Sequence, residues 1–135
     1  MLDVSLPNVY RGKSWHIPLY ETGTVQYFST GVGIEERQIR YPAFPLKLIL
    51  VEGTRAFTTR VGINITNNEG RTFVSIPGKH VLGPWVFVKV PSGTYMVIAT
   101  YRKNDTQKRR VIIHDKKSST VYLRWPQQST LKEVK

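Results

Sequence analysis

The chain contains no cysteine. Disulfides, thiolate metal sites and cysteine nucleophiles are excluded together, although that absence does not fix the compartment. No run of 18 apolar residues occurs, so no transmembrane helix is expected. Apolar stretches such as Leu48-Ile49-Leu50-Val51 are strand-sized. Histidine is scarce: His16, His80 and His114 are scattered, and none has a second ligand at metal spacing. No metal and no cofactor are expected. The serines and threonines lack a Gly-x-Ser-x-Gly elbow. Glu35 and Glu36 are adjacent, so on a helix they diverge by about 100° and suit capping better than acid/base chemistry. These absences point away from an enzyme.

Acidic residues are few, with 9 Asp+Glu against 20 Lys+Arg, a net charge of +11 and a pI near 10.1. Residues 1–67 carry a net +2 and residues 68–135 a net +9. A basic half of this kind favours anionic partners such as nucleic acid, lipopolysaccharide, phospholipid head groups or acidic proteins. The alternative is a solvated face that keeps sheet edges from aggregating.

The 135 residues suit one domain with a sizeable core. Pro7, Gly12, Pro18 and Gly23 break residues 1–29 into an extended arm, in which Thr24–Ser29 has the composition of a strand. Met1–Ser5 lacks the basic and then apolar regions of a signal peptide. Two readings follow: a cytosolic protein, or an exported one whose signal has been removed. Thr30-Gly31-Val32-Gly33 opens like a phosphate loop, but no Gly-Lys-Ser/Thr follows it. Glu35 and Glu36 suit the first turn of one short helix, ended by Pro42 and Pro45.

From Leu46 the hydrophobic period is two. Leu46, Leu48 and Leu50 share one face of a strand; Phe57, Thr59, Val61, Ile63 and Ile65 share one face of the next. Asn67–Gly70 is a hairpin turn, and Arg71–Ile76 a further strand. Gly83–Tyr101 reads as two strands joined at Pro91-Ser92-Gly93, where Pro91 presets a turn and Gly93 completes it. Arg102–Gln107 turns, Lys108–His114 is a strand, Asp115–Ser118 turns again and Ser119–Trp125 is the last strand. About seven short strands at this spacing predict an antiparallel sandwich over 30–126, followed by a polar tail over 127–135.

Pro91-Ser92-Gly93-Thr94-Tyr95-Met96-Val97-Ile98-Ala99 resembles the Pro-x-Gly-x-Tyr-x-Val-x-Ala signature of carboxypeptidase regulatory-like domains. Gly31-Val32-Gly33, Leu46–Leu50, Gly83-Pro84-Trp85 and Leu123-Arg124-Trp125-Pro126 are similar to other elements of small exported Gram-negative proteins of that class. The sequence departs from their pattern at Thr30 and across Pro42–Pro45. The resemblance implies an all-β, seven-stranded transthyretin-like Greek-key sandwich, periplasmic or secreted, that docks other proteins without chemistry of its own. A tyrosine just after the turn is expected to bury its ring while its hydroxyl reaches a backbone group of the neighbouring connection.

Two functions are therefore expected. The first is a non-enzymatic protein-interaction or structural module of the envelope or secreted fraction, docking by its edge strands or its arm. The second is a binder of anionic polymer or lipid through a basic hairpin. Its candidate residues are Arg102, Lys103, Lys108, Arg109, Arg110, Lys116 and Lys117, countered over that span by Asp105 and Asp115. The two turns lie at opposite strand ends, which favours two patches over one.

Overall fold

Among the described residues the alternation that begins at Leu46 folds as strands. The computed structural model of the protein describes residues 2–5, 14–31, 39–52, 55–56, 61–101 and 105–125. These comprise β1 (Leu2–Ser5), β2 (Ser14–Ile17), β3 (Tyr20–Thr22), β4 (Val25–Thr30), β5 (Leu46–Glu52) and β6 (Arg55–Ala56). They continue with β7 (Gly62–Asn67), β8 (Thr72–Ile76), β9 (Trp85–Lys89), β10 (Gly93–Tyr101), β11 (Asp105–Ile113) and β12 (Ser119–Trp125). Gly78–His80 forms a single 3-10 turn. Among the described residues no helix is long and apolar enough to cross a membrane.

The strands form two sheets and a small ribbon. One sheet is four-stranded in the order β11-β10-β7-β8; the other runs β12-β5-β9-β4-β3, with β6 added beside β5. The ribbon pairs β1 with β2. Leu46, Leu48, Leu50, Val86, Val88 and Leu123 of the larger sheet share one buried cluster with Ile63, Ile65, Val74, Val97 and Ile113 of the smaller. The inner faces of the two sheets thus supply a common core, as in a sandwich.

Three sequence expectations need correction. Against a sandwich of about seven strands counted from Leu46, eight occur there, β5 to β12, and four more, β1 to β4, precede them among the described residues. Against purely antiparallel pairing, β12 runs parallel to β5, with Ser119 opposite Leu46 and Trp125 opposite Glu52. Alternation tells which face a residue takes, not the direction of the strand beside it. Finally, the turn expected over Arg102–Gln107 is shorter, because β11 already begins at Asp105. The short helix expected at Glu35 and Glu36 falls outside the described residues, as do Phe57 and Thr59 of the second expected strand.

The segment read as an arm contributes directly to the larger sheet. β4 lies between β3 and β9, and Val25, Tyr27 and Phe28 are buried. Tyr27 and Val25 face the inter-sheet core. Phe28 faces the opposite way, into a second cluster with Ile17, Ile39, Phe44 and Phe87. The larger sheet is therefore apolar on both faces where β4 and β9 meet. Trp85-Val86-Phe87-Val88, a continuous apolar run, is the composition that such two-sided burial requires.

Gly83 sets the approach of the β8–β9 connection to β4. A side chain there would collide with the Thr30 backbone carbonyl. At the start of β10, Gly93 has a φ of +152°, which favours glycine, and a β-carbon would meet the Tyr95 ring at 3.6 Å.

Candidate functional site

The expected basic residues that the structure describes divide between β11 and the connection that joins it to β12. β11 ends the four-stranded sheet and β12 ends the larger one, and residues 114–118 carry the chain between them. Residues on β11 divide by parity. Lys108 and Arg110 stand on the outward face, opposite Ile98 and Met96, whereas Arg109 shares the inward parity of buried Val111 and Ile113. At the sheet margin Arg109 is nevertheless exposed, and its Nη1 donates to the Lys108 carbonyl oxygen at 2.9 Å. Arg102 and Lys103 lie outside the described residues.

Lys116 and Lys117 are both exposed in the β11–β12 turn. The turn is fastened to the lead-in of β5: Ser119 N–H donates to the Pro45 carbonyl at 2.8 Å, and Ser118 Oγ donates to the Phe44 carbonyl at 3.2 Å. Lys116 adopts a left-handed φ of 63°, which reverses the chain. Beside it lies an open cleft of about 260 Å³, bordered by Lys89, Ser92, His114, Asp115, Lys116 and Lys117. Three ammonium groups thus border a concavity in which Asp115 is the acidic side chain. Arg110 borders a different cleft of about 240 Å³ on the outward face, with Thr66, Asn68, Thr94 and Met96. The structure thus separates Lys116 and Lys117 from Lys108 and Arg110.

Several features escape a reading by hairpin. Lys89 belongs to β9, far from the hairpin in sequence, and only the fold brings it to the turn. Lys47 lays its ammonium over the Trp85 ring, 3.6 Å from the centroid, and burial holds its pKa below the usual lysine value. Their Cα partners, Lys47 with Phe87 and Ile49 with Trp85, place them on the outward face of the larger sheet.

A third group is aromatic. The His80 ring stacks on Tyr20 at 3.8 Å and 9°, and a 2.7 Å hydrogen bond links its Nδ1 to the Tyr27 hydroxyl. Ser29 Oγ donates to the His80 carbonyl at 3.0 Å and accepts from Leu82 N–H at 2.7 Å. Burial, with a smaller contribution from Tyr20, raises the Tyr27 pKa. These contacts fasten the β8–β9 connection across β3 and β4. His80 has no signal in sequence because its partners are more than fifty positions away.

Among the described residues no three His, Asp or Glu side chains gather in a way that could hold a metal ion. No family model matches the chain, and no curated protein matches it.

Proposed function

We propose that this chain is a non-enzymatic binding module whose ligand is an anionic polymer, held at the β11–β12 side of the sandwich. One observation carries the reading: Lys89, Lys116 and Lys117 border a single cleft against one carboxylate, Asp115. Cations crowded on a concave surface raise the local concentration of polyanions and release counterions when these bind. The outward Lys108 and Arg110 extend the same sign of charge over the neighbouring sheet.

The test is a salt titration of binding to a fluorescent polyanion. Affinity is expected to fall linearly on logarithmic axes, and Lys116→Glu with Lys117→Glu should weaken it at least tenfold. The Arg109→Glu, Arg110→Glu pair separates the turn from the strand. Binding left intact by both double reversals overturns the proposal.

A second reading is favoured by the sheet margins. Among the described residues, β12 pairs only with β5 and β11 only with β10. A seven-residue margin such as β12 suits docking of a partner segment as an added strand. This reading accords with the resemblance to carboxypeptidase regulatory-like domains of transthyretin-like type, and with a place in the periplasm or secreted fraction. Crosslinking in envelope and secreted fractions tests it; recovery of no specific partner counts against it.

A further inference from the structure

The larger sheet is covered unevenly on its outward side. Over β4 and β9 it carries the buried cluster of Phe28, Phe44 and Phe87. Over β12 it is open: Thr120, Tyr122 and Arg124 are all exposed, and Tyr122 retains 55% of its surface. These three alternate on one face of β12, about 7 Å apart from one to the next. Register places Thr120 beside Lys47, Tyr122 beside Ile49 and Arg124 beside Val51. Lys117 precedes this row by the short step through Ser118 and Ser119.

The row therefore reads cation, ring, cation. Lys117 precedes its start, Tyr122 occupies the middle and Arg124 lies toward its end, whereas the Lys47 ammonium is turned away from β12 onto the Trp85 ring of β9. One face of Trp85 is already taken by the Lys47 ammonium at 3.6 Å. Among the described residues Tyr122 is the ring that remains widely exposed on this face.

We propose that the outward face of β12 and β5 binds single-stranded nucleic acid, with a base stacked on Tyr122 and phosphates held by the flanking Lys and Arg groups. This deepens the anionic-polymer reading and rests on it for charge, while the ring adds a contact that charge alone does not make. Unpaired bases present π-faces to any exposed aromatic in a basic track. A duplex keeps its base faces inside the stack and offers Tyr122 none. A lipid surface is disfavoured because Tyr122 sits in a polar row on a sheet face, between Thr120 and Arg124, not at the tip of an apolar loop.

The experiment compares four probes on the full chain by fluorescence anisotropy or sedimentation. They are a thymidine oligonucleotide, an abasic oligonucleotide with the same number of phosphates, a heparin fragment and phosphatidylglycerol vesicles. Tyr122→Ala should weaken the thymidine probe about five- to a hundredfold, the range expected for one stacked base. The abasic probe should bind that variant as it binds the parent chain. Tyr122→Phe should restore thymidine binding, which separates stacking from damage to the fold.

Lys116→Glu with Lys117→Glu should weaken all the polyanions together. If thymidine and abasic probes bind alike and Tyr122→Ala changes neither, the stacking site is overturned while the anionic-polymer reading stands. Tyr122-dependent binding that prefers heparin or vesicles over the thymidine probe also overturns it. Absence of binding to every probe overturns both.

Discussion

The hydroxyl of Tyr95 donates to the Pro91 carbonyl oxygen at 2.8 Å, reaching back across the turn that launches β10. Its ring is 5% exposed and meets Phe73 edge-on at 5.5 Å. The side chain thus fastens the turn and fills the core at once. Tyr95→Phe keeps the ring and is expected to cost about 0.5–1.5 kcal/mol, the worth of one hydrogen bond. Tyr95→Ala is expected to cost about 3–5 kcal/mol, as core aromatic truncations do. Urea denaturation of the two variants separates the contributions, and an unchanged midpoint for the alanine variant refutes the assignment.

Alkaline pH tests the same residue differently. Burial raises the pKa of Tyr95, and burial together with Tyr20 raises that of Tyr27. A phenol whose pKa is higher in the folded state contributes stability that is complete below the unfolded value, near 10, and is lost as pH rises through the folded value. Stability is therefore expected to decline above about pH 10. Tyr95→Phe and Tyr27→Phe should each flatten that decline when denaturation midpoints are measured across the range.

Gly83→Ala should be severely destabilising. The added methyl group would meet the Thr30 backbone, which β4 holds in register opposite Trp85. Neither partner is the movable end of a side chain. A loss of more than about 2 kcal/mol is expected, since the backbone itself must shift. Retention of the parent thermal midpoint would show that the connection has room to move.

Coupling between His80 and Tyr27 is open to a double-mutant cycle. Removing the imidazole by His80→Ala leaves the largely buried Tyr27 hydroxyl without that partner and exposes the Tyr20 ring. The expected cost is about 1–3 kcal/mol. In the Tyr27→Phe background the same change should cost less, with a coupling of at least about 0.5 kcal/mol for groups in contact. Additive behaviour would mean that the 2.7 Å contact contributes nothing to stability.

What the sequence discloses follows the reach of each signal. Alternation identified the inward residues Leu46, Leu48, Leu50, Ile63 and Ile65, all buried in the core. Local turn chemistry located Asn67–Gly70, where Asn67 Oδ1 accepts from Glu69 and Arg71 N–H groups at 2.9 and 3.0 Å. The buried Tyr95 ring and a backbone acceptor for its hydroxyl are expected from the sequence, but the acceptor is Pro91 of its own turn and not the neighbouring connection. Long-range pairing left no such mark. Nothing near Lys89 announces the turn of Lys116, and nothing near Lys47 announces that its ammonium rests on Trp85. Before Leu46 only β4 is visible, as Thr24–Ser29; Pro18 and Gly23 punctuate the rest, and β3 is too short to build a period. In the sequence the run Trp85–Val88 reads only as a strand; that both its faces are covered depends on distant segments, Ile17, Ile39 and Phe44 on the outer side.

The parallel pairing of β5 with β12 has a consequence for synthesis. Leu46 and Ser119 adopt neighbouring places although about seventy residues separate them in the chain. This contact must wait until nearly all of the described residues have left the ribosome, and non-local pairing of this kind slows folding. Until then one margin of β5 has no partner, and the core lacks Leu123 and Trp125. A nascent chain halted before Ser119 would therefore present the unpaired side of an apolar strand, making that interval the one in which a chaperone has most to shield.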